Sequence, residues 1–320
     1  MNLLVTGSGF LALRLVDFFS RSSGVNVRLA TRDIHAFERV EIDHRCEIVE
    51  IDWEDIDSVK AACLSIDCVI HTAGPNAEYC RENPMESIQQ RMTMVDTLIR
   101  AMILTGTTKI VMLSTVHVYG NPLKGIINER SGTFNSHPYA MSHLAAERIL
   151  EWCAKDKKVK CLILRLANCF GYPISSKTMD WSLLVPDIVQ QAATTQKILL
   201  RGSGKDQRDF VTVSSLCGYL DLYIKGKISL GNEEENGYFE IVNFASGKTR
   251  MTIEIAEKVT KKVASRLGKP VNIKVNSKCA TSLLDSLQFD NKKINRDYPL
   301  LSSDFENELE KLIDFCLDNA

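Results

Sequence analysis

The sequence predicts an α/β protein, a doubly wound parallel sheet followed by a smaller C-terminal α/β lobe. Three observations carry that expectation. Short, uniformly apolar runs recur through the first two-thirds of the chain, helix-length segments separate them, and polar side chains gather at their carboxyl ends. Apolar strands joined by helices belong to a sheet covered on both faces. Composition agrees: 320 residues, 45% hydrophobic and 25% charged, with 17 Gly and 8 Pro, describe a globular chain rather than a disordered or collagen-like one. With 39 Lys and Arg against 40 Asp and Glu, no global field favours nucleic acid or an anionic membrane, so any anion site is local.

The elements follow in order. Residues 3–6 form the first strand. Gly7-Ser8-Gly9 comes next, and Leu11, Leu15 and Phe18 then share one helical face. Gly24 ends that helix. Val25, Val27 and Leu29 alternate as a second strand running to Ala30-Thr31-Arg32-Asp33, and residues 48–51 make a third, closed by Asp52. Residues 68–70 lead into His71-Thr72-Ala73-Gly74, residues 110–113 into Ser114-Thr115, and residues 161–165 into Asn168. Sheets of this kind bind ligands beyond the carboxyl ends of their strands. After Gly171 the pattern loosens. Glu233-Glu234-Glu235 reads as a solvated loop, and residues 306–316 as an amphipathic helix with Leu309, Leu312, Ile313 and Cys316 on one face.

The ten cysteines show no CxxC pair and none stands near a His at zinc-ligand spacing, so no metal site is expected. The chain enters an apolar strand at once with no cleavable signal, and Gly7, Gly9, Arg14 and Asp17 interrupt residues 3–19 as a bilayer span. Free thiols without an export signal point to the reducing cytoplasm.

The chemistry lies at the strand ends. A glycine turn (Gly7, Gly9) between a strand and a helix lets backbone N–H groups approach a pyrophosphate. At the end of the second strand a carboxylate would bind the ribose of NAD, and an arginine would pair with the 2′-phosphate of NADP. Ala30 occupies the acid position and Arg32 follows two residues later. This favours NADP(H) within an NAD(P) site, although Asp33 can still reach the ribose. Tyr139 and His143 are spaced i, i+4 on one helical face. A phenol beside a cation ionises more easily. A hydroxyl opposite it, such as that of Thr115, can hold a substrate oxygen while the phenol moves a proton.

These residues resemble the extended short-chain dehydrogenases/reductases, specifically the NAD-dependent epimerase/dehydratase family acting on nucleotide sugars. Gly7-Ser8-Gly9-Phe10-Leu11-Ala12 resembles the family's glycine turn, one residue shorter than usual. His71-Thr72-Ala73-Gly74 resembles the H-x-A-A/G strand end, Ser114-Thr115 with Val118-Tyr119-Gly120 the S-[ST]-x-x-V-Y-G segment, and Pro138-Tyr139 with Ala146-Glu147 the P-Y-x-x-S-K-x-x-A-E helix. Arg165-Leu166-Ala167-Asn168 is similar to R-x-x-N, Arg208-Asp209-Phe210-Val211 to R-D-F-V, and Asp290 with Tyr298-Pro299 to the closing segment.

The resemblance implies a Rossmann-type dinucleotide-binding domain over residues 1–170, receiving part of 208–245. A substrate-binding lobe would cover 171–207 and 246–320. It implies catalytic Thr115, Tyr139 and His143. Cofactor contacts would come from Gly7, Gly9, Phe10, Leu11, Arg32, Asp52, Ala73, Tyr139 and His143. Substrate contacts would come from Asn76, His117, Asn168 and Arg208, the last two on the diphosphate. A homodimer is implied, packed through the helix containing Met92–Ala101 and the helix beginning at Tyr139.

Departures from the family pattern stand beside these matches. The active-site Lys is replaced by His143, the relay Asn by Arg91, and the acid of the second strand by Ala30. Val116 and His117 after Thr115 leave no Thr-Asp-Glu for dehydration, so hydride transfer at C4 remains, as 4-epimerisation or 4-keto reduction. If His143 supplies the charge beside Tyr139, activity falls as pH rises past its ordinary pKa of about 6.5. The alternative is a protein of the same fold that has lost catalysis and serves as an NAD(P)-binding sensor or scaffold.

Overall fold

In the computed structural model, residues 1–34, 46–157, 159–228, 237–276, 286–298 and 302–319 are described. The predicted loop at Glu233–Glu235, Cys279 and Pro299 lie outside them. The chain runs β1 (Asn2–Thr6), α1 (Phe10–Ser20), β2 (Asn26–Thr31), β3 (Cys46–Glu50), α2 (Ile56–Cys63), β4 (Cys68–His71), α3 (Ala77–Glu82), α4 (Pro84–Thr105) and β5 (Lys109–Thr115). It continues through β6 (Gly125–Ile127), α5 (Pro138–Lys157), β7 (Lys160–Leu166), β8 (Asn168–Phe170), α6 (Leu184–Thr195), β9 (Lys197–Leu200), β10 (Gln207–Thr212) and α7 (Val213–Ile224). Then follow β11 (Tyr238–Phe244), β12 (Thr249–Met251), α8 (Thr252–Leu267), β13 (Asn272–Val275), β14 (Leu287–Phe289), α9 (Lys292–Asp297) and α10 (Ser302–Asp318).

The chain divides into two compact units. The first comprises Met1–Asn121, Glu129–Leu166 and Cys217–Asn243. Its seven-stranded sheet has the order β11-β7-β5-β4-β1-β2-β3, and the pairs from β3 through β7 are parallel. The order reverses beside β1, which makes the sheet doubly wound. Pairings Thr6↔Ala30, Thr6↔His71 and Thr115↔Leu166 bring the expected polar strand ends to one edge. A core of Leu4, Val69, Ile110, Met112 and Ile163 is covered by Val59 of α2, by Val95, Leu98 and Ile99 of α4, and by Ala146 and Leu150 of α5.

Two details differ from the sequence reading. The buried face of α1 is Phe10, Leu13, Leu15, Val16 and Phe19, whereas Phe18 is 36% exposed; the helix starts at Phe10, and the buried arc is wider than the Leu11–Leu15–Phe18 stripe. β3 is not buried on both faces. It is the outermost strand of the order, so Glu47 and Ile48 are exposed.

The second unit comprises Pro122–Asn128, Ala167–Leu216 and Phe244–Ala320. It contains a β12-β10-β8 sheet and the two-stranded pairs β13-β9 and β14-β6. Leu309, Leu312, Ile313 and Cys316 of α10 join Val185, Val189, Phe210, Ile255 and Val259 in its core. Along the outside, Lys258, Lys262 and Arg266 of α8 interlock with Glu306, Glu310 and Asp314 of α10. Among the described residues no helix is long and apolar enough to cross a membrane.

Candidate active site

The first unit assembles one site along the carboxyl edge of its sheet. Gly7 leaves β1 at φ +119, a conformation that L side chains rarely adopt. Its N–H donates to the Ala30 carbonyl at 2.9 Å, and a Cβ there would lie 2.6 Å from Thr72 Oγ1. Gly9 caps α1 without a side-chain hydrogen bond, and a Cβ at Gly9 would meet nothing within 4 Å. The first turn of α1 is therefore an open cradle whose N–H groups suit a pyrophosphate, the group a dinucleotide would bring. Phe10 is buried and Leu11 half-buried beside it. Arg32 and Asp33 are exposed just past β2, Asp52 is exposed past β3, and Ala73 is buried past β4. Asn76 is exposed, but its Oδ1 already accepts from Tyr79 N at 2.9 Å as the cap of α3. Its amide nitrogen and the second lone pair of Oδ1 remain for a ligand.

Thr115 ends β5 and is 5% exposed; its Oγ1 accepts from His117 N at 3.2 Å and so starts the tight turn Val116–Val118. Helix α5 packs against that turn. Tyr139 and His143 stand edge to face on α5, ring centroids 4.6 Å apart at 71°. Tyr139 is half-buried and His143 buried. His117 is half-buried, and its carbonyl accepts from Asn135 Nδ2 at 2.8 Å.

Burial, then the Arg91 guanidinium, then His71 and His117 hold His143 well below the ordinary histidine pKa, which favours a neutral ring beside Tyr139. Its Nδ1 is buried with no hydrogen-bond partner among the described residues, whereas an imidazolium must donate from both nitrogens. His71 is likewise held down, to about 3, by burial and Arg91; its Nδ1 bonds Thr6 Oγ1 at 2.8 Å. The cation here is Arg91 of α4, 3% exposed, whose Nε donates to Ser142 Oγ at 3.0 Å and Nη2 to the Pro75 carbonyl at 3.1 Å.

Below the site, Glu147 accepts from Ser114 Oγ (2.5 Å), Arg165 Nε (3.1 Å) and Arg165 Nη2 (2.6 Å). Both members of the ion pair are 2% exposed. Arg165 lies 4.8 Å from the Tyr119 ring centre, and Tyr119 donates to Asn243 Oδ1 at 2.7 Å. Sequence reading passed over this network, because its members are 33 and 18 residues apart and meet only where α5 packs on β5 and β7.

In the second unit, Asn168 and Arg208 lie on neighbouring strands, with Asn168 paired to Phe210. Asn168 Nδ2 donates to the Asp209 carbonyl at 2.9 Å. Arg208 is half-buried and faces Arg250 across the β10–β12 pair, a basic juxtaposition that the sequence does not signal because 42 positions separate the two. Burial raises Asp209 to about 6 against hydrogen bonds from the backbone at Ser246, Gly247 and Lys248. A carboxyl held above its unfolded value of about 3.9 gives stability that is complete below that value and is lost as pH rises through about 6. Asp209→Asn should therefore gain on the parent protein by up to about 3 kcal/mol between pH 4 and pH 7.5. Urea unfolding of both proteins at the two pH values checks this; a pH-independent difference refutes it.

The chain matches the NAD dependent epimerase/dehydratase family over residues 3–228. It is 25% identical over 236 residues to a UDP-glucose 4-epimerase of Halalkalibacterium halodurans, covering 69% of this chain and 70% of that protein. It is 23% identical over 270 residues to the low-salt glycan biosynthesis protein Agl12 of Haloferax volcanii, covering 82% and 83%. Among solved structures, a UDP-N-acetylglucosamine 4-epimerase of Methanobrevibacter ruminantium M1, in complex with UDP-N-acetylmuramic acid, has the same fold. It superposes with a TM-score of 0.83 at 18% identity over 100% of this chain and 99% of that one. The UDP-glucose 4-epimerase of Thermus thermophilus, in complex with NAD, superposes at 0.77 with 21% identity over 99% of each.

Proposed function

The chain belongs to the NAD-dependent epimerase/dehydratase family, and from that premise we propose that it is an NAD(P)-dependent oxidoreductase acting at C4 of a nucleotide sugar, as a 4-epimerase or a 4-keto reductase. The observation that carries this reading is the edge-to-face Tyr139–His143 pair on a helix packed against the turn that Thr115 caps. Thr115 holds the sugar O4 by a hydrogen bond. Tyr139 takes the O4 proton as the carbonyl forms, or returns it as the carbonyl is reduced. When bound, the nicotinamide supplies or removes the hydride at C4. Neutral His143 donates one hydrogen bond to the nicotinamide ribose.

Gly7, Gly9, Phe10 and Leu11 hold the pyrophosphate, and Asp52 and Ala73 border the adenine. Asn168 and Arg208 hold the substrate diphosphate, and Asn76 and His117 border the sugar. A homodimer through α4 and α5 belongs to the same reading. Val95, Leu98 and Ile99 serve the core, so the faces left for a partner are Met85, Ile103 and Leu104 of α4 with Met141 and Trp152 of α5, all exposed.

Thermal shift with NADH, NADPH and a panel of nucleotide sugars tests the reading, because a ligand that binds only the native state raises Tm. Stabilisation by a dinucleotide and one sugar nucleotide, followed by turnover, supports it; cofactor binding without turnover of any member favours the sensor instead. Exposed Arg32 supports a preference for NADP(H). Arg32→Ala should then weaken NADPH by about 10- to 100-fold, one charge-assisted hydrogen bond being worth about 1.5–3 kcal/mol, with NADH unaffected in the same titration.

A further inference from the structure

Arg91 has replaced the Asn of the family pattern, and His143 the Lys. The structure brings the two exchanged positions into one buried cluster. Helix α4 delivers the guanidinium between the end of β4 and α5. Its Nε donates to Ser142 Oγ, and Ser142 Oγ in turn donates to the Tyr139 carbonyl at 2.9 Å. Its Nη2 donates to the Pro75 carbonyl. The guanidinium fills the space beside Gly74, where any Cβ would overlap it; Gly74 is itself exposed, with φ +154. Tyr139 and Cys80 lie within its electrostatic reach. Burial first and the same cation second hold both His143 and His71 below the ordinary histidine pKa.

We propose that Arg91 is the positioning cation of the Tyr139 phenol: seated on Gly74 and fixed by Ser142, it stabilises the tyrosinate in place of the residue at position 143. This rests on the reading of Tyr139 as the acid–base group. The phenol shares its surroundings with the His143 ring on its own helix and lies within the electrostatic reach of Arg91 from α4; His143 in turn faces His71 from β4 and His117 from the turn after β5, and Arg91 faces Cys80 from α3. Arg91 is the permanent charge among them. An opposite charge within electrostatic reach favours the ionised phenol and so lowers its pKa.

Ultraviolet titration at 295 nm of the cofactor-free protein, with the Tyr139→Phe protein subtracted, isolates the ionisation of this tyrosine without needing substrate. Arg91→Gln should raise that midpoint by about one unit or more, and the acid limb of the kcat–pH profile should move with it. Arg91→Lys should keep both near their original values. The double variant Arg91→Asn/His143→Lys should restore them by the family's own arrangement. His143→Ala, which leaves Arg91 in place, should not raise the midpoint, and this arm decides the matter even if Arg91→Gln does not fold. An unmoved midpoint in folded Arg91→Gln, a Lys variant that behaves like Gln, or a midpoint raised by His143→Ala each overturns the proposal. A midpoint that depends on Arg91 in a protein that turns over no nucleotide sugar upholds it while ending the enzymatic reading.

Discussion

Tyr139→Phe is expected to lower kcat by about 10²- to 10⁴-fold, the usual worth of one positioned acid–base group, while leaving Tm within about a degree. Removing one oxygen from a half-buried ring takes nothing from the core, and the Tyr139–His143 ring contact at 4.6 Å survives the change. Cofactor affinity should change little, so the loss sits in kcat rather than KM. Steady-state kinetics with the substrate found by thermal shift, alongside a melting curve, separates these quantities. Turnover at the parental rate would remove Tyr139 from the chemistry.

Glu147→Ala should cost about 3–5 kcal/mol of stability, because it strands the Arg165 guanidinium in the core. Arg165 is 2% exposed and loses two hydrogen bonds at once, and Ser114 Oγ loses its acceptor. Replacing both members, as in Glu147→Leu/Arg165→Met, should recover most of that loss, since a buried pair repays little beyond its own desolvation. The recovered protein should still be slow, because Ser114 precedes Thr115 and Glu147 shares α5 with Tyr139. The Ser114–Glu147 bond ties together the two elements that carry Thr115 and Tyr139. Urea unfolding and kcat on the same three proteins test both halves; a slow but fully stable Glu147→Ala protein would show the pair to be dispensable for folding.

Much of the first unit was legible in the sequence, because parallel strands buried on both faces leave continuous apolar runs and a ligand-binding edge leaves polar residues where those runs stop. The Gly7 turn, the Ser114-Thr115 strand end and the Tyr139 helix were read that way. The reading failed where a residue's surroundings come from distant chain. Ile48 looked like core, yet its strand is the sheet's edge. The helix through Met92–Ala101 was expected at a dimer interface, yet its Val95, Leu98 and Ile99 pack into the core of the unit, and an apolar helical face does not itself say what covers it. His143 was read with an ordinary pKa, since nothing in its local sequence announces burial beside Arg91 and two other histidines. The Arg208–Arg250 juxtaposition depends on an antiparallel register that no motif encodes.

The seat of the Arg91 guanidinium against Gly74 constrains which mutational routes are open. A side chain at position 74 must evict the cation, so even an alanine there acts as an electrostatic substitution. Restoring Lys at position 143 alone would crowd two permanent charges into one dry space, whereas the paired exchange with Asn at position 91 keeps a single charge throughout. Charge-changing exchanges at positions 91 and 143, and any side chain at position 74, should therefore be coupled, because all three act on the one buried cation.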